Sequence, residues 1–324
     1  MVHDEQGLFL THPRLAIDVT RRQPRAFVSH AHADHIARHE LALCTPETAA
    51  LYRHRLGAGR RVVRMDYAAP VDFHGVKLTA LPAGHCLGSA MLFVESGGQT
   101  LLYTGDFKLG ESLTARSAAP RHADLLVIES TFGNPRYRLP PREEVAEDLL
   151  SLVRRILADG KTPVLHAYAL GKAQEVTALL TSQGIPVLQH PKIFAISRVY
   201  QQCGVSLSGP TAGVSEHQGT APSGHAVVTL PQSMPGFRLA GLGRVETIAV
   251  SGWAMDPRTK FRLRVDHALP LSDHADFDQL LEMVRVVDPQ RVLTTHGPPG
   301  FDGFLRDLGY QAQPLVASGQ QMLF

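Results

Sequence analysis

The chain has 324 residues, of which 44% are hydrophobic and 19% are charged, and its formal net charge at pH 7 is +2. This composition is that of an ordinary soluble globular protein, and the length allows one elaborate domain or two. Three cysteines without a CxxC pair exclude a disulfide framework, and no apolar stretch is long enough to cross a bilayer. We therefore expect a cytoplasmic protein without a membrane partner. Seventeen histidines are unusual, and they direct the search towards a metal site.

The first third of the chain is predicted to form short β-strands. Apolar and β-branched residues occur in brief stretches that are separated by glycine, proline and aspartate, which is the pattern of strands in a sheet. The stretches are Leu15–Val19, Ala26–Ser29, Val76–Leu81, Ala90–Val94 and Thr100–Thr104. Such a series predicts stacked sheets.

The middle of the chain alternates between helix and strand. Apolar residues at helical spacing cover Arg142–Ala158, and a strand follows at Thr162–His166. A second helix, Gly171–Ser182, leads into a strand at Ile185–Gln189, so this segment forms a β-α-β unit and predicts a separate α/β lobe with a parallel sheet. Residues 203–225 are rich in Gly, Ser, Pro and Thr and predict a surface loop.

Strands are predicted again at Val245–Ser251 and Phe261–Asp266. A helix at Phe277–Val286, a strand at Arg291–Thr295 and a short helix near Gly303–Leu308 complete the chain.

One group of four basic residues and one separate lysine are candidates for contact with phosphate. Four residues of one parity would share a face of an extended strand, where they could follow a phosphate backbone or protect an exposed sheet edge from aggregation. They are Arg258, Lys260, Arg262 and Arg264. Lys172 follows a glycine at the start of a predicted helix, where backbone N–H groups favour phosphate.

The stretch SHAHADHI contains three histidines and an aspartate directly after a predicted strand. Residues two apart share one side of an extended segment, whereas adjacent residues diverge, so His30 and His32 can serve one metal ion, and Asp34 and His35 a second. Three further residues of the same types, His85, Asp106 and His296, also follow predicted strands. Nitrogen and carboxylate donors without thiolates favour two Zn²⁺ ions, with Mn²⁺ or Fe as alternatives.

The HxHxDH motif resembles that of the metallo-β-lactamase superfamily, which implies an α/β fold of αββα sandwich type. Carried over by position, the resemblance implies a first metal bound by His30, His32 and His85 and a second bound by Asp34, His35 and His296. It also implies that Asp106 bridges the metals and that Asp18, at the end of LAID, orients the ligand loop without binding metal.

Two further motifs resemble the β-CASP branch of that superfamily, whose members are nucleases. They are DLLVIESTFG, which ends a strand at Glu129, and PLSDHADF, which contains His274. The resemblance implies a metallo-β-lactamase domain formed by 1–123 and 266–324, with a β-CASP domain, 124–265, inserted. It implies catalytic roles for Asp34, Glu129 and His274. A carboxylate favours the charged form of a neighbouring imidazole, so His274 beside Glu129 is expected to be the general acid.

The substrate is left open between two nucleic acids. SDHADF and SGWA resemble bacterial ligase-associated DNA damage response exonucleases, which implies a DNA exonuclease in repair, associated with a DNA ligase and a helicase. His296 favours RNA instead, because β-CASP enzymes that act on RNA generally have histidine at this motif. A glyoxalase-type thioester hydrolase and a catalytically silent scaffold are the remaining alternatives, but the first has no use for Glu129 and His274, and the second would be expected to lack ligands.

Overall fold

A computed structural model describes residues 2–4, 7–12, 14–231 and 241–315, and the chain divides into two compact units. The first comprises Met1–Pro135 and His274–Phe324, and the second is Arg136–Asp273. The layout with 124–265 inserted between 1–123 and 266–324 stays a prediction. Its starting point differs from that of the second unit, because strand Leu125–Glu129 pairs with strands of the first.

Within the described residues of the first unit, two sheets are formed, and strands are numbered along the chain. The six-stranded sheet consists, in spatial order, of β1 (Val2–Asp4), β2 (Gly7–Leu10), β3 (Leu15–Ile17), β4 (Arg25–Phe27), β5 (Leu41–Cys44) and β6 (Val62–Arg64). The seven-stranded sheet consists, in chain order, of β7 (Pro70–Phe73), β8 (Val76–Pro82), β9 (Ala90–Ser96), β10 (Gln99–Tyr103), β11 (Leu125–Glu129), β18 (Arg291–Thr295) and β19 (Ala312–Pro314).

The two sheets pack face to face, and helices cover their outer faces. Ile17 and Phe27 of the first sheet lie in one buried cluster with Leu78 and Leu101 of the second. Helix α1 (Pro46–Leu56) packs on the outer face of the first sheet, and α6 (Phe277–Val287) and α7 (Phe301–Asp307) pack on that of the second. Burial of one apolar stripe on each helix explains this layering. The predicted αββα sandwich is confirmed.

The second unit is an α/β lobe with a parallel sheet. Its described strands are β12 (Thr162–His166), β13 (Val187–Gln189), β14 (Val214–Glu216), β15 (Ala226–Thr229), β16 (Val245–Val250) and β17 (His267–Leu269), in spatial order β14-β13-β15-β12-β16-β17. Its helices are α2 (Arg142–Ala158), α3 (Lys172–Ser182), α4 (Pro191–Gln202) and α5 (Arg258–Leu263). Short 3₁₀ helices lie at Pro135–Tyr137 and Gly252–Met255. In the ranges described, no helix combines the length and the apolar character needed to cross a membrane.

The predicted strand Phe261–Asp266 is wrong, because helix α5 occupies its first three residues and Arg264 ends that helix in the left-handed region. Pro257 precedes the helix, and the side chain of Asp256 accepts a hydrogen bond from the Arg258 backbone N–H, which starts a helical turn. Arg258, Lys260, Arg262 and Arg264 therefore do not line one face of a strand. Phe261, in the middle of this helix, is 77% exposed. The alternation of charge that suggested a strand arises in a six-residue helix with little buried surface.

The sequence suggested that Lys172 contacts phosphate, but the structure buries this residue. It is 1% exposed, and its Nζ lies 3.2 Å from Oδ1 of Asp273, in the same unit. Burial lowers the pKa of Lys172, and the charge and hydrogen bond of Asp273 oppose that change. The lysine therefore stabilises a buried ion pair at the start of α3, and its ammonium group is not presented to solvent.

Lys172→Met should destabilise the protein by about 3 kcal/mol, near the lower end for loss of one partner of a buried pair, because the Asp273 side chain is still 17% exposed. Urea unfolding followed by circular dichroism measures the change. Lys192→Met, at an exposed lysine of α4, is the control and should change the free energy of unfolding little. Adding Asp273→Leu to Lys172→Met should recover most of the loss, and equal stability of Lys172→Met and wild type would contradict this account.

Candidate metal centre

The candidate ligands follow the ends of strands that run in the same direction within each sheet. In the first sheet, parallel β3 and β4 end before Asp18 and His30. In the second sheet, β10, β11 and β18 are parallel, and Asp106, Glu129 and His296 lie at or just after their ends. Parallel strands end at one edge of a sheet, so residues distant in sequence are brought together there.

The first group of ligand atoms consists of His30, His32, His85 and Asp106, and these atoms all lie within 4.8 Å of one another. The Nε2 of His85 is 3.1 Å from the Nδ1 of His32, and the Nε2 of His30 is 3.5 Å from Oδ2 of Asp106. His30 and His85 are buried, whereas His32 is partly exposed. The group contains the three histidines predicted for a first metal together with Asp106, which was predicted to bridge the two metals.

A second group shares Asp106 with the first. His35, Asp106 and His296 have ligand atoms within 4.8 Å of one another. The Nε2 of His35 lies 3.4 Å from Oδ2 of Asp106, and the Nδ1 of His296 lies 3.9 Å from Oδ1. Asp34 is near the group, with its Oδ2 3.9 Å from the Nε2 of His35, but its side chain is 80% exposed. Asp106 thus presents one oxygen towards His296 and the other towards His30 and His35.

The protonation states of this cluster suit a divalent cation. The Ser29 hydroxyl donates to Asp18, so the Nδ1–H of His30 donates to that hydroxyl oxygen over 2.9 Å and Nε2 holds a lone pair. In the part of the chain described, this buried Nε2 has no hydrogen-bond partner. Burial and then the neighbouring His35 and His32 lower the pKa of His30 well below its ordinary value. The neutral imidazole is the form that binds metal, so these residues fit a metal site.

Burial by itself raises the pKa of Asp106, but His35 and His274 reverse the change and bring the pKa well below its ordinary value. Asp106 is therefore ionised at neutral pH. An ionised carboxylate beside the neutral imidazole of His30 supplies oxygen and nitrogen donors of the kinds that divalent metals such as Zn²⁺ bind.

Asp18 orients the ligand loop through four hydrogen bonds. Its carboxylate accepts from the Ser29 N–H at 2.7 Å, the Ser29 hydroxyl at 2.5 Å, the Tyr103 hydroxyl at 2.9 Å and the Nδ1 of His35 at 3.0 Å. Burial alone lowers the pKa of His35, but Asp106 and Asp18 raise it well above its ordinary value. Holding Nδ1 of His35 directs Nε2 towards Asp106. The position of Asp18 agrees with the supporting role that the sequence implied.

Buried Glu129 pairs with the partly exposed His274 beside Asp106. Glu129 is 0% exposed, and its two carboxylate oxygens lie 3.2 and 3.1 Å from the Nδ1 of His274. The Phe107 N–H and the Thr131 hydroxyl also donate to Glu129, at 2.8 and 2.5 Å. Ligand atoms of Asp106, Glu129 and His274 lie within 4.8 Å of one another. The carboxylate is thus fixed on one side and holds the imidazole on the other.

Sequence reasoning missed the residues that hold the ligands in place. Ser29 and Tyr103 both donate to Asp18, and Thr131 donates to Glu129. Each lies within three residues of a recognised motif residue. Their position close to a motif is therefore the sequence feature that could have identified them as supporting residues. Nothing in residue type alone distinguishes such a hydroxyl from a solvent-exposed one.

Asp18→Asn should weaken metal binding by about 10- to 100-fold, because the amide replaces an oxygen that accepts hydrogen bonds and leaves His35 misoriented. Chelator-competition titration measures the affinity. Asp124→Asn is the control, since Asp124 accepts hydrogen bonds from the N–H and the hydroxyl of Thr100 at the opposite end of β11. Equal metal affinity of Asp18→Asn and wild type would exclude an orienting role.

Comparison with known proteins gives two family matches along the chain. The model of the beta-lactamase superfamily domain matches residues 5–172. The model of the Zn-dependent metallo-hydrolase RNA specificity domain matches residues 259–312. The first match covers more than half of the chain and contains the HxHxDH loop, His85, Asp106 and Glu129. The second contains His274 and His296.

Individual relatives extend this result. A protein of Opitutus terrae named as a probable DNA ligase is 40% identical over 317 residues, which are 97% of this chain and 31% of the relative. Endoribonuclease YSH1 of Candida albicans is 28% identical over 295 residues, which are 73% of this chain and 33% of the relative. The chain thus spans about a third of the length of each.

A crystal structure of a protein of unknown function from Enterococcus faecalis has a similar fold. Its TM-score is 0.58 at 13% identity, and the match covers 84% of this chain and 75% of that one. The family matches, the relatives and the ligand geometry agree. The chain belongs to the metallo-β-lactamase superfamily, in its β-CASP branch.

Proposed function

We propose that this protein is a metal-dependent nuclease that hydrolyses phosphodiester bonds, acting as a DNA exonuclease in repair. The observation that carries the proposal is the Glu129–His274 pair, whose ligand atoms lie within 4.8 Å of Asp106. Hydrolysis assisted only by metal ions does not require an imidazole that is hydrogen-bonded to a buried carboxylate. Cleavage of a phosphodiester expels an alkoxide, and a positioned imidazole can protonate it.

Two Zn²⁺ ions are proposed as cofactors, with Mn²⁺ or Fe as the alternatives that the same donors accept. His30, His32 and His85 would hold one, and Asp34, His35 and His296 the other, with Asp106 between them. When bound, two such cations supply Lewis-acid stabilisation for the charge that develops on phosphoryl oxygens.

The proposed acid step uses the two nitrogens of His274 differently. Glu129 accepts from Nδ1, and this carboxylate is itself held by the Phe107 N–H and the Thr131 hydroxyl. Nε2 is then the nitrogen that passes a proton to the departing oxygen. The His274 ring centroid lies 4.6 Å from that of His85, which puts the acid beside the first ligand group.

DNA is the proposed substrate because a relative that covers nearly the whole chain is named as a probable DNA ligase. A functional association with a DNA ligase and a helicase, in the cytoplasm, is part of this proposal. RNA processing is the second candidate, favoured by His296, by the RNA specificity domain match over 259–312 and by similarity to an endoribonuclease. A thioester hydrolase of the glyoxalase type leaves Glu129 and His274 without a role.

End-labelled single strands of DNA and RNA with the same sequence, blocked at either terminus, test the proposal. Stepwise shortening of DNA from an unblocked end is the expected result. Internal cleavage confined to RNA would select the second candidate. Cleavage of a thioester with neither polymer degraded would overturn both.

His274→Ala should slow cleavage of an unmodified oligonucleotide by at least about 100-fold while metal content is unchanged, since general acid catalysis is worth that much. Hydrolysis of bis(p-nitrophenyl) phosphate should change little, because nitrophenolate leaves without a proton. His54→Ala, at an exposed histidine of α1, is the control. Equal slowing on both substrates would remove His274 from the acid role.

Asp34→Ala should lower cleavage by at least about 100-fold on both substrates, because loss of a metal ligand removes charge stabilisation whatever the leaving group. Metal analysis of the purified variant should show a deficit relative to wild type. Full metal content with normal turnover would exclude Asp34 from the centre. The contrast with His274→Ala separates the two roles within one pair of assays.

A further inference from the structure

Helix α1 braces both ligand loops of the first unit. At its start, the hydroxyls of Thr45 and Thr48 donate to the carbonyl oxygen of Gly88, in the loop that contains His85. At its last turn, Nη1 of Arg55 donates to the carbonyl oxygen of Ala31, between His30 and His32. The helix therefore fixes the backbone on two sides of the metal centre.

Arg55 differs from the other residues that make this brace. Thr45 and Thr48 are 0% exposed, whereas Arg55 is exposed and only its bond to Ala31 is partly buried. Partial burial lowers the pKa of Arg55, and the negative charge of Asp34 opposes this change. No ion pair within 4.0 Å is formed by Arg55 among the residues described, so its charge is partly removed from water without a close counter-ion.

A guanidinium group carries five N–H donors, and Arg55 uses one on Ala31. One neutral donor would be enough to hold the carbonyl oxygen of Ala31. The positive charge of Arg55 and its other N–H donors therefore have no role in this hydrogen bond. Arg55 also belongs to a basic segment, since five arginines and no acidic residue occur from Arg53 to Arg64. The setting suits an anion that approaches from solvent beside Asp34.

We propose that Arg55 binds the two non-bridging oxygens of the phosphate next to the scissile one in a nucleic-acid strand. The inference rests on the proposed nuclease function and adds a substrate subsite to it. Planar guanidinium groups bind phosphate through two parallel hydrogen bonds, and a flanking phosphate is the anion that a polynucleotide places beside its scissile bond. A substrate with a single phosphate lacks this contact.

Arg55→Gln separates the two parts of the side chain, because a glutamine amide can still donate to Ala31 but carries no charge. For an oligonucleotide, KM should rise at least about tenfold, the loss expected for one charge-assisted hydrogen bond, with kcat changed little. The slope of log(kcat/KM) against log salt should become shallower by about 0.7 on a single strand. Hydrolysis of bis(p-nitrophenyl) phosphate and the metal content should match those of wild type.

Arg25→Gln removes one charge at the start of β4, the opposite end of the strand that leads to His30, and should leave KM and the salt slope unchanged. Arg55→Lys keeps the charge without the planar fork and should fall between wild type and Arg55→Gln. If Arg55→Gln matches wild type in KM and slope while the wild-type enzyme cleaves both substrates, the subsite is overturned and the nuclease function stands. If it loses metal and both activities together, Arg55 only braces the loop. If the wild type cleaves neither substrate, the proposed function fails and the subsite with it.

Discussion

The first unit is organised around one buried carboxylate. Asp106 is 6% exposed, and imidazole nitrogens of His35, His30 and His85 lie 3.4, 3.5 and 3.8 Å from its Oδ2. A buried charge is costly unless positive charge or hydrogen-bond donors surround it. Because His30 is neutral, the imidazoles compensate this carboxylate only in part. Divalent cations would supply the remaining positive charge, so metal binding and the packing of this edge are expected to be linked.

The backbone is strained at two of the residues that follow these strand ends. Asp18 and His296 have φ angles of 49° and 48°, in the left-handed region that non-glycine residues rarely adopt. Strain of this kind costs on the order of 1–3 kcal/mol per residue and persists where surrounding contacts determine the conformation. Four hydrogen bonds to its carboxylate hold Asp18. The strain lies where a chain leaving a sheet must turn a side chain back into the site.

The candidate ligands that the structure brings together could be identified from the sequence because each one follows a predicted strand. Apolar strands of defined length end before His30, Asp106 and His296, and the end of a parallel strand determines which edge a residue reaches. Helix α5 could not be predicted in the same way, because its six residues bury little apolar surface and alternating charge fits a strand equally well. Lys172 was misjudged because its partner, Asp273, is far along the chain. Burial of a charge depends on such distant partners, which local patterns do not contain.

The centre has a closed side and an open side, and this asymmetry bears on the size of the substrate. Glu129 and His30 are 0% exposed, whereas the side chains of His296 and Asp34 are 41% and 80% exposed. A small thioester is bound best where most of its surface is enclosed. A polymer extends beyond the reacting bond, so its site must open towards solvent, and cations beside that opening gain affinity from neighbouring phosphates. The exposure of Asp34 and the position of Arg55 beside it therefore favour a chain-like polyanion over an enclosed small molecule.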